Sequence, residues 1–196
     1  MLSVSETFDS IQGEGFYSGF RSFFVRLAGC DIGCHWCDEK KSWTTKGYPQ
    51  IKVNQLVDMC VKSSSEIIVV TGGEPLMQDL NEFTLALKGK KKRHLETSGA
   101  YPLTGEWDWI TLSPKKNKLP EKHIYSKVNE LKVVIYNDSD FKFAVQEKNK
   151  VSKDCILYLQ PEWSRKEKSL EKIMAFNKLY PEWKLSVQTH KYLGLQ

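Results

Sequence analysis

The 196-residue sequence predicts an α/β fold, a single-domain, incomplete (open) parallel β/α barrel over residues 1–196. Three observations lead there. Short β-branched runs alternate with segments of helical period, the rhythm of parallel strands joined by helical crossovers. The chain is shorter than the ~250 residues that a complete eight-unit barrel typically needs. Its polar and glycine-bearing motifs follow the strands, and parallel α/β folds build their sites at the carboxyl ends of strands.

The elements follow in order. Residues 22–27, Ser-Phe-Phe-Val-Arg-Leu, read as a strand that ends at Ala28-Gly29. Val53, Leu56, Val57, Cys60 and Val61 share one helical face. Residues 66–70 form a β-branched run that closes in Thr71-Gly72-Gly73-Glu74-Pro75. Leu80, Phe83, Thr84 and Leu87 line a second helix, and residues 93–97 return as a strand ending in Ser98-Gly99. Residues 109–112 make the next strand, followed by Ser113-Pro114-Lys115, and residues 113–129 show no clear helix. After a strand at 131–136, Asp138 is placed to cap a helix that carries Phe141, Ala144 and Val145. A strand at 156–159 ends in Gln160-Pro161. Leu170, Ile173, Met174 and Asn177 mark a last helix stopped by Pro181, with one more strand expected at 185–187. The expected sheet has six or seven strands, with about four helices.

Composition narrows the class. A net charge of +5 permits an anionic substrate without demanding nucleic acid. The basic run Lys88, Lys90, Lys91, Lys92 and Arg93 has no interleaved aromatic platform and reads as a solvated loop face. No apolar run reaches the ~18 residues of a membrane span, and the first nine residues lack the regions of a signal peptide. Five cysteines, three of them clustered, do not resemble a secreted disulfide framework, so a reducing cytoplasm is the expected compartment.

The clustered cysteines are Cys30, Cys34 and Cys37, in the run Gly-Cys-Asp-Ile-Gly-Cys-His-Trp-Cys-Asp. Structural zinc normally takes four protein ligands, and an ordinary four-iron cluster takes four cysteines. Cys60 and Cys155 each lack a neighbouring cysteine and read as core residues. Three thiolates on a four-iron cluster leave one iron open for chemistry, and the alternative is a zinc loop completed by His35 or a distant residue. After the next strand, Gly72 and Gly73 let backbone approach a ligand closely. Glu74 is an acceptor-only anion suited to an ammonium group.

The C-x3-C-x2-C triple resembles the cluster motif of radical S-adenosylmethionine (SAM) enzymes, and Gly72-Gly73-Glu74 resembles their GGE motif. The N-terminal Glu6-Thr7-Phe8-Asp9-Ser10-Ile11-Gln12-Gly13-Glu14-Gly15 narrows the match, together with Glu96-Thr97-Ser98-Gly99, Ser113-Pro114-Lys115 and Gln188-Thr189-His190-Lys191. Over nearly its whole length the chain resembles the 7-carboxy-7-deazaguanine synthase family. That resemblance implies conversion of 6-carboxy-5,6,7,8-tetrahydropterin to 7-carboxy-7-deazaguanine with loss of ammonia, a step toward queuosine and other deazapurines. It implies a [4Fe–4S] cluster on Cys30, Cys34 and Cys37, with SAM used catalytically to remove the C6 hydrogen. SAM would be held by Trp36, Gly73, Glu74, Ser113, Lys115 and Gln160, with Glu74 on the methionyl amine. The pterin would meet Ile11, Gln12, Gly13, Thr71 and Arg26, whose guanidinium suits a carboxylate. No side chain is assigned as an acid or base.

The chain departs from the family at two places. Many members place a Mg²⁺-binding threonine directly after the Cys-Asp pair, and here Glu39 stands there. A carboxylate is also a hard oxygen ligand, so Mg²⁺ remains an expectation, against a Glu39 that turns to solvent and pairs with Lys40 or Lys41. Many members end in a proline whose carboxylate faces substrate, and here Gln196 would supply that carboxylate. A homodimer and an electron donor such as flavodoxin or ferredoxin are further implications, with neither nucleic acid nor membrane as partner. Two alternatives remain: a glycyl-radical-enzyme activase, opposed by the Gln-Gly-Glu-Gly segment, and a zinc-dependent nucleic-acid-binding module, opposed by the missing fourth clustered ligand.

Overall fold

A computed structural model describes residues 1–195. One nine-stranded sheet runs through the molecule. Its strands are β1 (Leu2–Ile11), β2 (Arg21–Leu27), β3 (Gln50–Ile51), β4 (Ile67–Gly72), β5 (Lys92–Thr97), β6 (Trp109–Leu112), β7 (Glu130–Ile135), β8 (Ile156–Pro161) and β9 (Trp183–Leu185). The order is β3-β1-β2-β4-β5-β6-β7-β8-β9, so the sheet does not close on itself. From β2 through β9 every pairing is parallel. The helices are α1 (Val53–Lys62), α2 (Asn81–Leu87), α3 (Ser139–Lys148), α4 (Lys166–Leu179) and α5 (Thr189–Leu193).

The strand–helix rhythm held from residue 22 to 179, and three elements went unread. β1 pairs antiparallel with β2, and β3 pairs antiparallel with β1, so one edge is not parallel. β1 alternates Leu2, Val4 and Phe8 with polar residues, a pattern that serines and acids dilute. α5 is too short for a helical period to show. Asp138, expected as the cap of α3, is helical itself and makes no side-chain cap bond. Asn137 does the capping, its Oδ1 accepting from Ser139 N at 2.9 Å.

The period-two alternation of strands sorts residues between two faces. Val25, Leu27, Ile68, Val70, Leu95, Leu112, Leu131 and Val133 join Leu56, Phe83 and Ala144 in the main core. The opposite face starts apolar, with Phe24, Ile67 and Val69 packed against Phe8 and Tyr17. The Tyr17 ring plugs this end, its centroid 4.5 Å from His94 and 4.9 Å from Trp109. Further along the same face the residues turn polar. Arg26 lies in register with Thr71, Glu96 with Thr111, Thr111 with Glu130, and Val134 with Gln160. The sheet therefore has one oily face for its helices and one face whose carboxyl-terminal half is built from charge.

The basic run is less uniformly solvated than expected. Arg93 is buried and forks onto Asp108, Nε to Oδ2 and Nη2 to Oδ1, each at 2.8 Å. Lys91 donates to the carbonyls of Ser63 and Ser65 just past the end of α1.

Candidate active site

The charged half of the inner face opens into a cavity of about 350 Å³, within the size range of small-molecule pockets. Its walls hold Cys30, Cys34 and Cys37, and also Arg26, Glu39, Glu74, Lys115 and Gln160. Ile11, Gln12, Gly13, Trp36, Thr71, Gly73 and Ser113 complete the expected set. Every residue expected to hold cluster, SAM or pterin thus lines one cavity, except Gln196, which lies outside the described residues.

The cysteine loop leaves β2 and returns against the start of the GGE segment. Gly29 N donates to Ser42 O at 2.7 Å, and Cys37 N to Cys34 O at 3.0 Å. Gly73 N bonds Leu27 O at 2.9 Å and Glu74 N bonds Gly29 O at 2.8 Å, so the two motifs are zipped edge to edge. A Cβ on Gly73 would fall 2.2 Å from Gly29 O. The glycine is there because two backbones touch.

All three thiols are free and half-buried. Burial pushes the Cys30 and Cys34 thiols up, with Lys115 opposing the shift at Cys34. Among the described residues no three His, Cys, Asp or Glu side chains converge on a single-ion point. A four-iron cluster asks for something else, since each thiolate binds a different iron. Three sulfurs on one cavity wall, with Glu39 N donating to Cys37 Sγ at 3.4 Å, suit it, because hydrogen bonds to ligand sulfur tune such clusters.

Glu74 is fixed from four sides. Its Oε1 accepts from Leu76 N at 3.0 Å and Thr97 Oγ1 at 2.5 Å. Its Oε2 accepts from Ser98 N at 2.8 Å and Ser98 Oγ at 2.5 Å. Lys115 is drawn in by Ser113, donating to its carbonyl at 2.5 Å and its hydroxyl at 2.7 Å. Its Nζ sits 5.7 Å from the centre of the Trp36 ring. Burial holds the Lys115 ammonium below the usual lysine range.

Beside these lie residues outside the expected set. Gln12 Nε2 and Thr71 Oγ1 donate to the two oxygens of Glu96, at 2.9 and 3.0 Å. Glu14, largely covered, pairs with the buried Lys132. Burial raises the Glu14 carboxyl, but Lys132 and Gln188 outweigh it and hold it below the usual range. Burial, with smaller contributions from Glu96 and Glu14, pushes Glu130 up to about 7. Asp38, Gln188 and His190 line the same cavity. One signal was available: Lys132 sits between Leu131 and Val133 in a central strand, where a charged side chain is rarely buried unless paired.

Glu39 does not turn to Lys40 or Lys41. Its Oε2 lies 3.9 Å from Arg26 Nε. Arg26 in turn donates from Nε to Glu6 Oε1 at 2.7 Å and lies over the Phe8 ring.

Comparison with known proteins accords with this site. The family described as "4Fe-4S single cluster domain" matches residues 11–154. The chain is 52% identical to the 7-carboxy-7-deazaguanine synthase of Synechocystis sp., over 98% of this chain and 93% of that protein. It belongs to the 7-carboxy-7-deazaguanine synthase family. The Flavobacterium psychrophilum enzyme of that name is 50% identical over 100% of this chain and 93% of its own length. The crystal structure of QueE from Escherichia coli superposes with a TM-score of 0.79 at 27% identity, covering 95% of this chain and 93% of that one. The chain is therefore an enzyme of the lyase type that uses a [4Fe–4S] cluster and SAM. The open sheet is that of the radical SAM barrel, and the zinc and activase alternatives fall away. Among the described residues no helix is long and apolar enough to cross a membrane.

Proposed function

We propose that this chain, as one radical SAM domain, converts 6-carboxy-5,6,7,8-tetrahydropterin to 7-carboxy-7-deazaguanine with release of ammonia. The observation that carries the reading is a single cavity lined by three cysteine thiols and by the guanidinium of Arg26, a group suited to a carboxylate. Cluster and SAM, when bound, supply radical abstraction of the C6 hydrogen and its later return.

The chain's own residues bind and orient. Cys30, Cys34 and Cys37 hold the cluster. Glu74, already aimed by Leu76, Thr97 and Ser98, presents a fixed anion to the methionyl ammonium, and pre-ordering of this kind lowers the cost of binding. Trp36, Gly73, Ser113, Lys115 and Gln160 shape the rest of that seat. Because Arg26 spends its Nε on Glu6, a bidentate partner has the Nη1–Nη2 edge, which suits the pterin carboxylate. Ile11, Gln12, Gly13 and Thr71 offer amide, backbone and hydroxyl partners to the ring.

Glu39 is proposed as a ligand for Mg²⁺. One carboxylate is a partial donor set, and Mg²⁺ is usually completed by substrate oxygens and water. The family resemblance supports a cytoplasmic homodimer reduced by a donor such as flavodoxin or ferredoxin. The test is anaerobic turnover of the reconstituted enzyme with SAM, a reductant and the pterin. Equal amounts of ammonia and 7-carboxy-7-deazaguanine support the reading, and SAM cleavage without either product overturns it.

A further inference from the structure

The tail motif Gln188-Thr189-His190-Lys191 contacts both the segment after β1 and the cluster loop. On one side it is bound to the segment after β1. Thr189 N donates to Gly13 O at 2.9 Å, and Gln188 Nε2 donates to Glu14 Oε1 at 2.8 Å. A Cβ on Gly13 would lie 2.0 Å from His190 Nδ1, so the imidazole rests directly on that backbone. On the other side Lys191 pairs with Asp38, the residue after the third cluster cysteine. Gln188 joins the two sides, because its Nε2 also reaches Asp38 Oδ2 at 3.3 Å and its Oε1 accepts from Lys191 Nζ at 3.1 Å.

The chemistry of an amide explains why glutamine stands here. Its nitrogen carries two N–H donors and can serve two carboxylates, while its oxygen accepts from an ammonium. Glutamate could not donate to either acid, and lysine could not accept from Lys191. With Lys132 on the far side of Glu14, two carboxylates and two ammoniums alternate along one chain of contacts, and Gln188 is its neutral centre. Gln188 is also buried, so its polar atoms depend on these partners.

We propose that Gln188 is a positioning residue that fixes the spacing between the Gln12–Glu14 segment and the cluster loop, so that order in one imposes order on the other. Radical transfer between two bound molecules demands such spacing, since misplacement by about 1 Å can cost on the order of a hundredfold in rate. The identity of the ligand held by residues 12–14 rests on the pterin reading. The mechanical link does not.

Hydrogen–deuterium exchange on the reconstituted holoenzyme, without pterin, tests the link. Gln188→Leu removes all three bonds. Exchange of amides at 12–18 and at 37–43 should rise together by roughly tenfold, the scale of one lost hydrogen bond to a charged group, while α1 and α3 exchange as in wild type. Asp38→Asn weakens an exposed arm of the link by removing its charge, and serves if Gln188→Leu folds poorly. It should loosen residues 12–18, although Asp38 does not touch them, with iron content unchanged. In turnover, both variants should form less product per SAM cleaved. A rise confined to 186–195, or an Asp38→Asn effect confined to the cluster loop, overturns the proposal. Absence of deazaguanine product from wild type together with coupled exchange would refute the pterin reading and leave the link standing.

Discussion

Arg26 and Glu6 face each other across the β1–β2 ladder, in register, with Arg26 Nε 2.7 Å from Glu6 Oε1. The pairing turns the guanidinium into an oriented fork rather than a mobile cation. Lysine keeps the charge and loses the planar geometry. Arg26→Lys should therefore raise KM for the pterin by about tenfold or more, the worth of one charge-assisted hydrogen bond, with iron content unchanged. Steady-state kinetics beside iron analysis checks both halves.

The cysteines divide cleanly. Alanine at Cys30, Cys34 or Cys37 should each abolish the cluster's absorbance, since a lost thiolate leaves an iron unligated. Cys60 and Cys155 are buried in the core, and burial pushes both thiols up to about 12, so neither offers a thiolate near neutral pH. Conservative replacement of either by serine or valine should leave iron and sulfide at wild-type levels.

Magnesium should bind with substrate rather than before it. Among the described residues no three acidic or sulfur side chains converge on one ion, and Glu39 contributes a single carboxylate beside Arg26. Mn²⁺ used as a paramagnetic stand-in should bind tightly only when the pterin is present, and Glu39→Gln should remove that binding. Equal Mn²⁺ affinity with and without pterin would separate Glu39 from the substrate carboxylate.

Glu130 should leave a signature in the pH dependence of stability. Its carboxyl is raised by burial from an ordinary 4.5 to about 7, although Phe16 N and Lys132 oppose the shift, and Glu96 and Glu14 add to it. Between those values the folded state holds a proton that the unfolded state has released. Stability falls as pH rises from 4.5 to 7 and is level above. His94 acts oppositely, since burial lowers it from 6.5 to about 4, and its contribution is lost as pH falls through that range. The two slopes oppose each other in wild type, so Tm alone conceals them. The Tm difference between Glu130→Gln and wild type should grow in the variant's favour from pH 4.5 to 7 and then stay constant.

Much of this site is legible in the chain because its residues sit where strands end. The Cys30–Cys37 loop and the Gly72-Gly73-Glu74 turn are local, and their spacing alone carries the chemistry. Arg26, Thr71 and Gln160 are each recognisable from a motif. What could not be read is what long-range pairing creates. Nothing local joins Glu14 to Lys132, 118 residues apart, or Gln188 to Asp38, 150 apart. The same holds for Glu39, whose neighbours in sequence are lysines and whose neighbour in space is Arg26. β1 escaped because its inner positions carry polar residues, and the inner face of this sheet is where polar residues serve the site.

SAM and the pterin are proposed to share one cavity, close enough for direct hydrogen transfer. Turnover with pterin deuterated at C6 tests it most directly, by mass spectrometry of recovered SAM and product. Deuterium should accumulate in SAM over many turnovers while total SAM stays nearly constant. Product formation with no label in SAM, or one SAM consumed per product, would contradict it.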